Sequence, residues 1–179
     1  MKSHSRFIEA AISVPILKTK LHIPTLRPEF ISRPRLLERL DEGSRPPYKL
    51  VLVSAPAGFG KTTLISEWAH HTDMSIAWLS LDEADNTPHR FWSYVVAALQ
   101  RSHPGIEKEL QSVLRSEPGP FAEGLLTRLV NKIAAFTTLS ALILDDLHVI
   151  SEPQIHRNLT LLVENLPPHV RIIVSTRAD

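Results

Sequence analysis

Ser54-Ala-Pro-Ala-Gly-Phe-Gly-Lys-Thr-Thr63 decides how the chain is read. Before it, Leu50-Val-Leu-Val53 is a short apolar run, expected as a strand buried on both faces. After it, Lys61-Thr-Thr-Leu-Ile-Ser-Glu-Trp-Ala69 reads as an amphipathic helix. A strand, a glycine-bearing loop and a helix opening on Lys-Thr form the context of a phosphate-binding loop. Gly58 and Gly60 carry no Cβ, so the backbone can turn tightly and aim successive N–H groups at one anion. The helix start behind them adds unpaired donors and a partial positive charge. These features point to Ala57, Gly58, Phe59, Gly60, Lys61, Thr62 and Thr63 as phosphate ligands. Lys61 is the point charge for the β- and γ-phosphates, Thr62 the hydroxyl for Mg²⁺ and Thr63 a donor to a phosphate oxygen. Ala55 stands where the pattern G-x-x-x-x-G-K-[ST] writes its first glycine.

The 179 residues suit about one domain, and 43% hydrophobic content is enough for a core. A net charge of +1 gives no general reason to expect nucleic acid or an anionic membrane as a partner. No cysteine is present, which excludes disulfides and thiolate metal sites. The basic start Met1-Lys-Ser-His-Ser-Arg6 precedes Ala10-Ala-Ile-Ser-Val-Pro-Ile-Leu17, but Glu9 and Pro15 interrupt that run and no signal-peptide cleavage site follows. No run reaches the ~18 apolar residues of a membrane span. The expectation is a cytoplasmic protein with no membrane partner.

Residues 1–30 read as an extended N-terminal segment, broken by Pro15, Pro24 and Pro28. Ser32 to Leu40 is expected as a short helix with Ser32 as N-cap, and Arg33 or Arg35 can lie beside a nucleotide or simply in solvent. Ser75-Ile-Ala-Trp-Leu-Ser-Leu81 is a second strand, and Asp82 to Asn86 an acidic loop expected to be solvated rather than metal-binding. Thr87-Pro88 opens a helix with Phe91, Val95, Ala98 and Leu99 on one side. Another short helix is expected over 103–116, ended by Glu117-Pro-Gly-Pro120, and a longer one follows with Leu125, Leu129 and Ile133 inward. Nine histidines are scattered without metal-ligand spacing and are read as structural or exposed.

Ala141-Leu-Ile-Leu-Asp-Asp146 is the second constellation. Four apolar residues make a central strand, and two carboxylates emerge at its C-terminal end, where open α/β sheets bind ligands. Asp145 is the candidate for holding Mg²⁺, and Asp146 for orienting or deprotonating an attacking water. Val170 to Arg177 is a further strand, with Arg177 just past its end as a candidate γ-phosphate sensor.

Several blocks together resemble the ATPase module of MalT-like, LuxR-type transcriptional regulators, members of the STAND class of P-loop NTPases. They are Ala55 to Thr63, Trp78 to Asn86 with Phe91-Trp92, Leu144-Asp-Asp-Leu-His148, Ser175-Thr-Arg177, Lys20 to Pro24 and Ile31 to Arg35. The resemblance implies a three-layer α/β/α fold with a mostly parallel sheet in the order 5-1-4-3-2. It implies ATP with Mg²⁺, slow hydrolysis, and the bound nucleotide used as a conformational switch. It places Lys61, Thr62 and Thr63 (Walker A) and Asp145 and Asp146 (Walker B) at phosphate, metal and water, Arg33 beside the nucleotide, and Arg177 as sensor. Such regulators continue into winged-helix, helical-repeat and helix-turn-helix parts, through which they meet an inducer and DNA. Residues 31–179 are therefore expected to be an incomplete P-loop domain, ending after the fourth core strand, with self-association in the ATP state.

Two other readings compete. A small-molecule phosphotransferase would use the same loop, but its lid arginines are not in evidence: Arg33, Arg35, Arg39 and Arg45 all precede the loop. A module indifferent to nucleotide would have no need of Lys61, Thr62 and Asp145.

Overall fold

Ser140-Ala-Leu-Ile-Leu-Asp145 forms a strand in which every residue is buried. Such a run needs cover on both faces. In the computed structural model, which describes residues 15–106, 110 and 121–178, that cover is complete. The four strands are β1 (Leu50–Ser54), β2 (Ser75–Ser80), β3 (Ser140–Asp145) and β4 (Val170–Thr176). All pairings are parallel, in the order β1-β4-β3-β2. This is the expected order for strands one to four. Parallel neighbours need long crossovers, and helices fill them: α1 (Pro34–Gly43), α2 (Lys61–His71), α3 (Pro88–Ser102), α4 (Phe121–Ala134) and α5 (Pro153–Asn165).

Because side chains alternate along a strand, the sheet divides its apolar residues between two cores. Ala77, Leu79, Leu142, Leu144, Ile172 and Val174 pack against α3, α4 and α5. Trp78, Ala141, Ile143 and Ile173 pack on the other side with Leu40 of α1 and Ile65, Trp68 and Ala69 of α2. The result is three layers, α/β/α. Phe91, Val95, Ala98 and Leu99 are buried along α3, as their spacing predicts.

The structure corrects several expectations. β1 is not buried on both faces: Leu50 and Leu52 are 44% and 61% exposed. Among the described residues it pairs only with β4 and so lies at the edge of this sheet, and its apolar run covers one face while the other meets solvent. The N-cap of helix α1 is Arg33, not Ser32, and makes no side-chain cap, because Pro34 already fixes the first turn. Helix α5 occupies a stretch left unassigned from sequence; Glu152 caps it by accepting from Gln154 N at 3.1 Å. Of the expected helix at 103–116 only residues 103–106 and 110 are described, and its break at 117–120 lies outside the described residues, as do residues 1–14.

The acidic loop is the largest correction. Asp85 is fully buried, because Lys20 reaches it from a short 3-10 turn, Lys18–Leu21, in the N-terminal segment. Lys20 Nζ also lies 3.0 Å from Asp82, and Arg90 Nε donates to Asp85 at 3.0 Å. The Lys20 ammonium sits 4.7 Å from the centroid of Tyr94, whose hydroxyl accepts from Leu17 N at 3.1 Å. The cluster fastens the N-terminal segment to the end of β2 and to α3.

Removing one partner of a buried ion pair strands the other charge. Asp85→Asn should therefore lower stability by about 3–5 kcal/mol in urea unfolding. Lys20→Met, which leaves Arg90 on Asp85, should cost less.

Candidate functional site

Gly58 and Gly60 both adopt left-handed backbone, φ 80° and 78°, and Gly60 is the residue from which α2 springs. Only glycine takes that conformation without strain. The first helical bond is Leu64 N to Gly60 O at 2.9 Å, so the N–H groups of the opening turn remain free of intrahelical partners. Ala55 is tolerated in place of glycine because its φ is not in the left-handed region. Its N–H reaches Thr176 O at 3.5 Å, tying the start of the loop to the end of β4. The Lys61 ammonium is buried and spans the loop, donating to Ala55 O at 2.8 Å and Pro56 O at 3.1 Å.

Helix α2 also carries Thr62 onto the end of β3. Its hydroxyl lies 3.1 and 3.0 Å from the two Asp145 carboxylate oxygens. Ser175 of β4 donates to Asp145 Oδ1 at 2.5 Å and accepts from Asp146 N at 2.7 Å. Asp145 is 3% exposed. Burial pushes its carboxyl above the ordinary range and the adjacent Asp146 charge adds to this, against the bonds from Ser175 and Thr62 and the nearby Lys61 charge. A short oxygen-rich cleft thus joins loop, helix and strand end. Two oxygen donors of this kind suit a hard divalent cation such as Mg²⁺.

Asp146 takes a left-handed conformation, φ 62°, which turns the chain sharply after β3. Its carboxylate is 43% exposed at the rim, with His148 Nδ1 at 3.7 Å. Arg177 is exposed just past β4, where Ala178 N reaches Ala55 O at 3.4 Å and brings this strand end beside the loop. Arg33 Nη1 donates to Phe59 O at 3.0 Å, so this arginine holds the tip of the loop. Phe59 is itself 58% exposed. Thr63, together with Gly60 and Thr62, lines a cavity of about 690 Å³ between the 24–33 segment and α2. The structure therefore brings Lys61, Thr62 and Asp145 together, and sets Asp146, Arg177 and Arg33 around them. Ser175, which bridges the two aspartates, was not singled out as a site residue. Its signal is a hydroxyl within the apolar run Ile172-Ile-Val-Ser175.

No family model matches the chain. Over 162 residues, 90% of its length, the chain is 35% identical to the HTH-type transcriptional regulator MalT of Cronobacter sakazakii (strain ATCC BAA-894). It spans about 18% of that protein. Among solved structures it is similar to C. elegans PCH-2, with a TM-score of 0.44 and 14% identity over 80% of this chain and 37% of that one. No described helix is long and apolar enough to cross a membrane. On the MalT similarity, and with the expected blocks in the expected order on a parallel sheet, the chain is a MalT-like module.

Proposed function

We propose that the chain binds Mg-ATP, hydrolyses it slowly, and serves as the nucleotide switch of a transcription regulator. The observation that carries this reading is the Thr62 hydroxyl seated on the Asp145 carboxylate, which joins the phosphate loop to the strand end. The similarity to the HTH-type transcriptional regulator MalT supports a regulator as the parent; in this reading an inducer and DNA are met through parts of the parent outside this chain.

In this reading the loop amides from Ala57 to Thr62 cradle the phosphates, and Lys61 leaves the Ala55 and Pro56 carbonyls for the β- and γ-phosphates. Thr62 and Asp145 are the residues that would hold Mg²⁺. Bound Mg²⁺ supplies neutralisation of charge on the phosphate oxygens. Asp146, exposed at the rim, orients the attacking water, and Arg177 approaches the γ-phosphate from the end of β4. A buried aspartate with a raised pKa is poorly placed as a charge on its own and well placed beside a cation.

Labelled ATP should be retained by the purified chain in a Mg²⁺-dependent manner. Lys61→Ala should weaken retention by about 10–100-fold, the worth of charge-assisted hydrogen bonds; unchanged retention rejects the phosphate-site reading. Multiple-turnover transfer to a small acceptor would replace the switch by a kinase.

Asp145 supplies a second test. Its raised folded pKa means the native state binds the proton more tightly than the unfolded chain, so stability falls as pH rises through that interval. Asp145→Asn should be more stable than the parent at pH 7 by urea unfolding, the gap closing as pH falls towards about 4. The same variant should lose the Mg²⁺ dependence of ATP retention.

A further inference from the structure

Along β4 the side chains alternate between the two cores. Ile172 and Val174 pack towards α3, α4 and α5, and Ile173 packs with α1 and α2. Ser175 comes next on the Ile173 side, fully buried, where another aliphatic side chain would continue the stripe. It stands opposite Val53 of β1, and the β3–β4 register, which pairs Leu144 with Val174, brings Asp145 level with it on the other side. A hydroxyl buried at such a place costs free energy unless it is hydrogen-bonded. Here it is bonded twice. Its proton goes to Asp145 Oδ1 at 2.5 Å, and its oxygen accepts the Asp146 N–H at 2.7 Å.

A serine hydroxyl has one proton to donate, and a backbone amide can only donate. The direction of the chain is therefore fixed: Asp146 N–H to Ser175 Oγ, and Ser175 Oγ–H to Asp145 Oδ1. Linked bonds of this kind polarise and strengthen one another. One end holds the carboxylate that Thr62 meets at 3.1 and 3.0 Å. The other end holds the amide of the left-handed turn, φ 62°, from which the Asp146 carboxylate reaches the rim. A single side chain thus sets the direction of both acids. Alanine would keep the strand and lose both bonds.

We propose that Ser175 is a positioning residue for ATP hydrolysis, which orients Asp145 through its side chain and Asp146 through its backbone, so that turnover depends on it and nucleotide binding does not. This rests on the phosphate-site reading above and adds to it a residue that acts only through the two acids. Binding draws chiefly on the loop amides and on Lys61, whose hydrogen bonds run to Ala55 O and Pro56 O rather than to β4. Turnover needs the two acids aligned on the reacting groups, where a small misplacement is costly.

The test measures Mg²⁺-dependent ATP retention, turnover at saturating Mg-ATP, urea unfolding, and hydrogen exchange at the Asp146 amide without nucleotide. It compares the purified chain with its Ser175→Ala and Ser175→Thr variants. Ser175→Ala should slow turnover by about 10–100-fold, the worth of a hydrogen bond to a charged group, while retention changes by less than about threefold. Its Asp146 amide should exchange about tenfold faster than in the parent. Ser175→Thr keeps the hydroxyl and should restore most of the turnover and of the amide protection. Parent-like turnover or parent-like Asp146 exchange in Ser175→Ala overturns the assignment. So does a loss of retention as large as the loss of turnover, or loss of cooperative urea unfolding, since either makes the role merely structural. A folded Ser175→Thr as slow as Ser175→Ala overturns it too. A parent that retains ATP in a Lys61-dependent way but never turns it over sinks the positioning role and leaves the phosphate site standing; a parent that retains no nucleotide overturns both readings.

Discussion

One hydroxyl-to-carboxylate contact organises the site. Thr62 belongs to the first turn after the loop, and Asp145 to the end of the central strand; they meet because β3 and α2 share the sheet's C-terminal rim. Asp145 is nearly sealed from water, so its charge is costly unless neighbours satisfy it. Thr62 and Ser175 do so in part, and Lys61 contributes through space. The arrangement fixes the loop relative to the strand, the preorganisation that the proposed phosphate and cation site would require.

A second constraint lies on the opposite side of the helix start. The N-terminal segment has little regular structure of its own, yet Lys20 ties it to Asp85, Asp82 and Tyr94, and Arg33 ties it to Phe59. Between those fastenings the chain runs past α2 and makes the far wall of the cavity. Without the ion cluster that wall would have only scattered apolar contacts to hold it. Packing of the N-terminal segment and the shape of the cavity against α2 are thus one problem.

The sheet was legible in the sequence because strand signals were strong: Leu142-Ile-Leu144 and Ile172-Ile-Val174 are continuous apolar runs, and the glycines at 58 and 60 punctuate the turn. The turn between β1 and α2 was legible for the same reason, since its left-handed glycines act locally. What escaped depends on contacts distant in sequence. Asp85 looks like a solvated loop acid until Lys20, 65 residues away, is placed beside it. Leu50 and Leu52 look like core until β1 is seen to be an edge. Helix α5 carried a readable signal, with Glu152 and Pro153 at its start and Ile155, Leu159 and Leu162 inward. Its many polar residues diluted that periodicity. Ser175 was invisible as a partner of Asp145 because only the parallel register of β3 with β4 brings the two strand ends together.

The backbone at Asp146 carries a separate lesson. A side chain in left-handed geometry costs on the order of 1 kcal/mol that glycine would avoid, even for aspartate, which tolerates it better than most. The sharp bend could be made more cheaply by a residue with no carboxylate at all. The fold is therefore indifferent to this acid, or slightly burdened by it. The turn thus sets a carboxylate at the mouth of the cleft that the turn itself does not require.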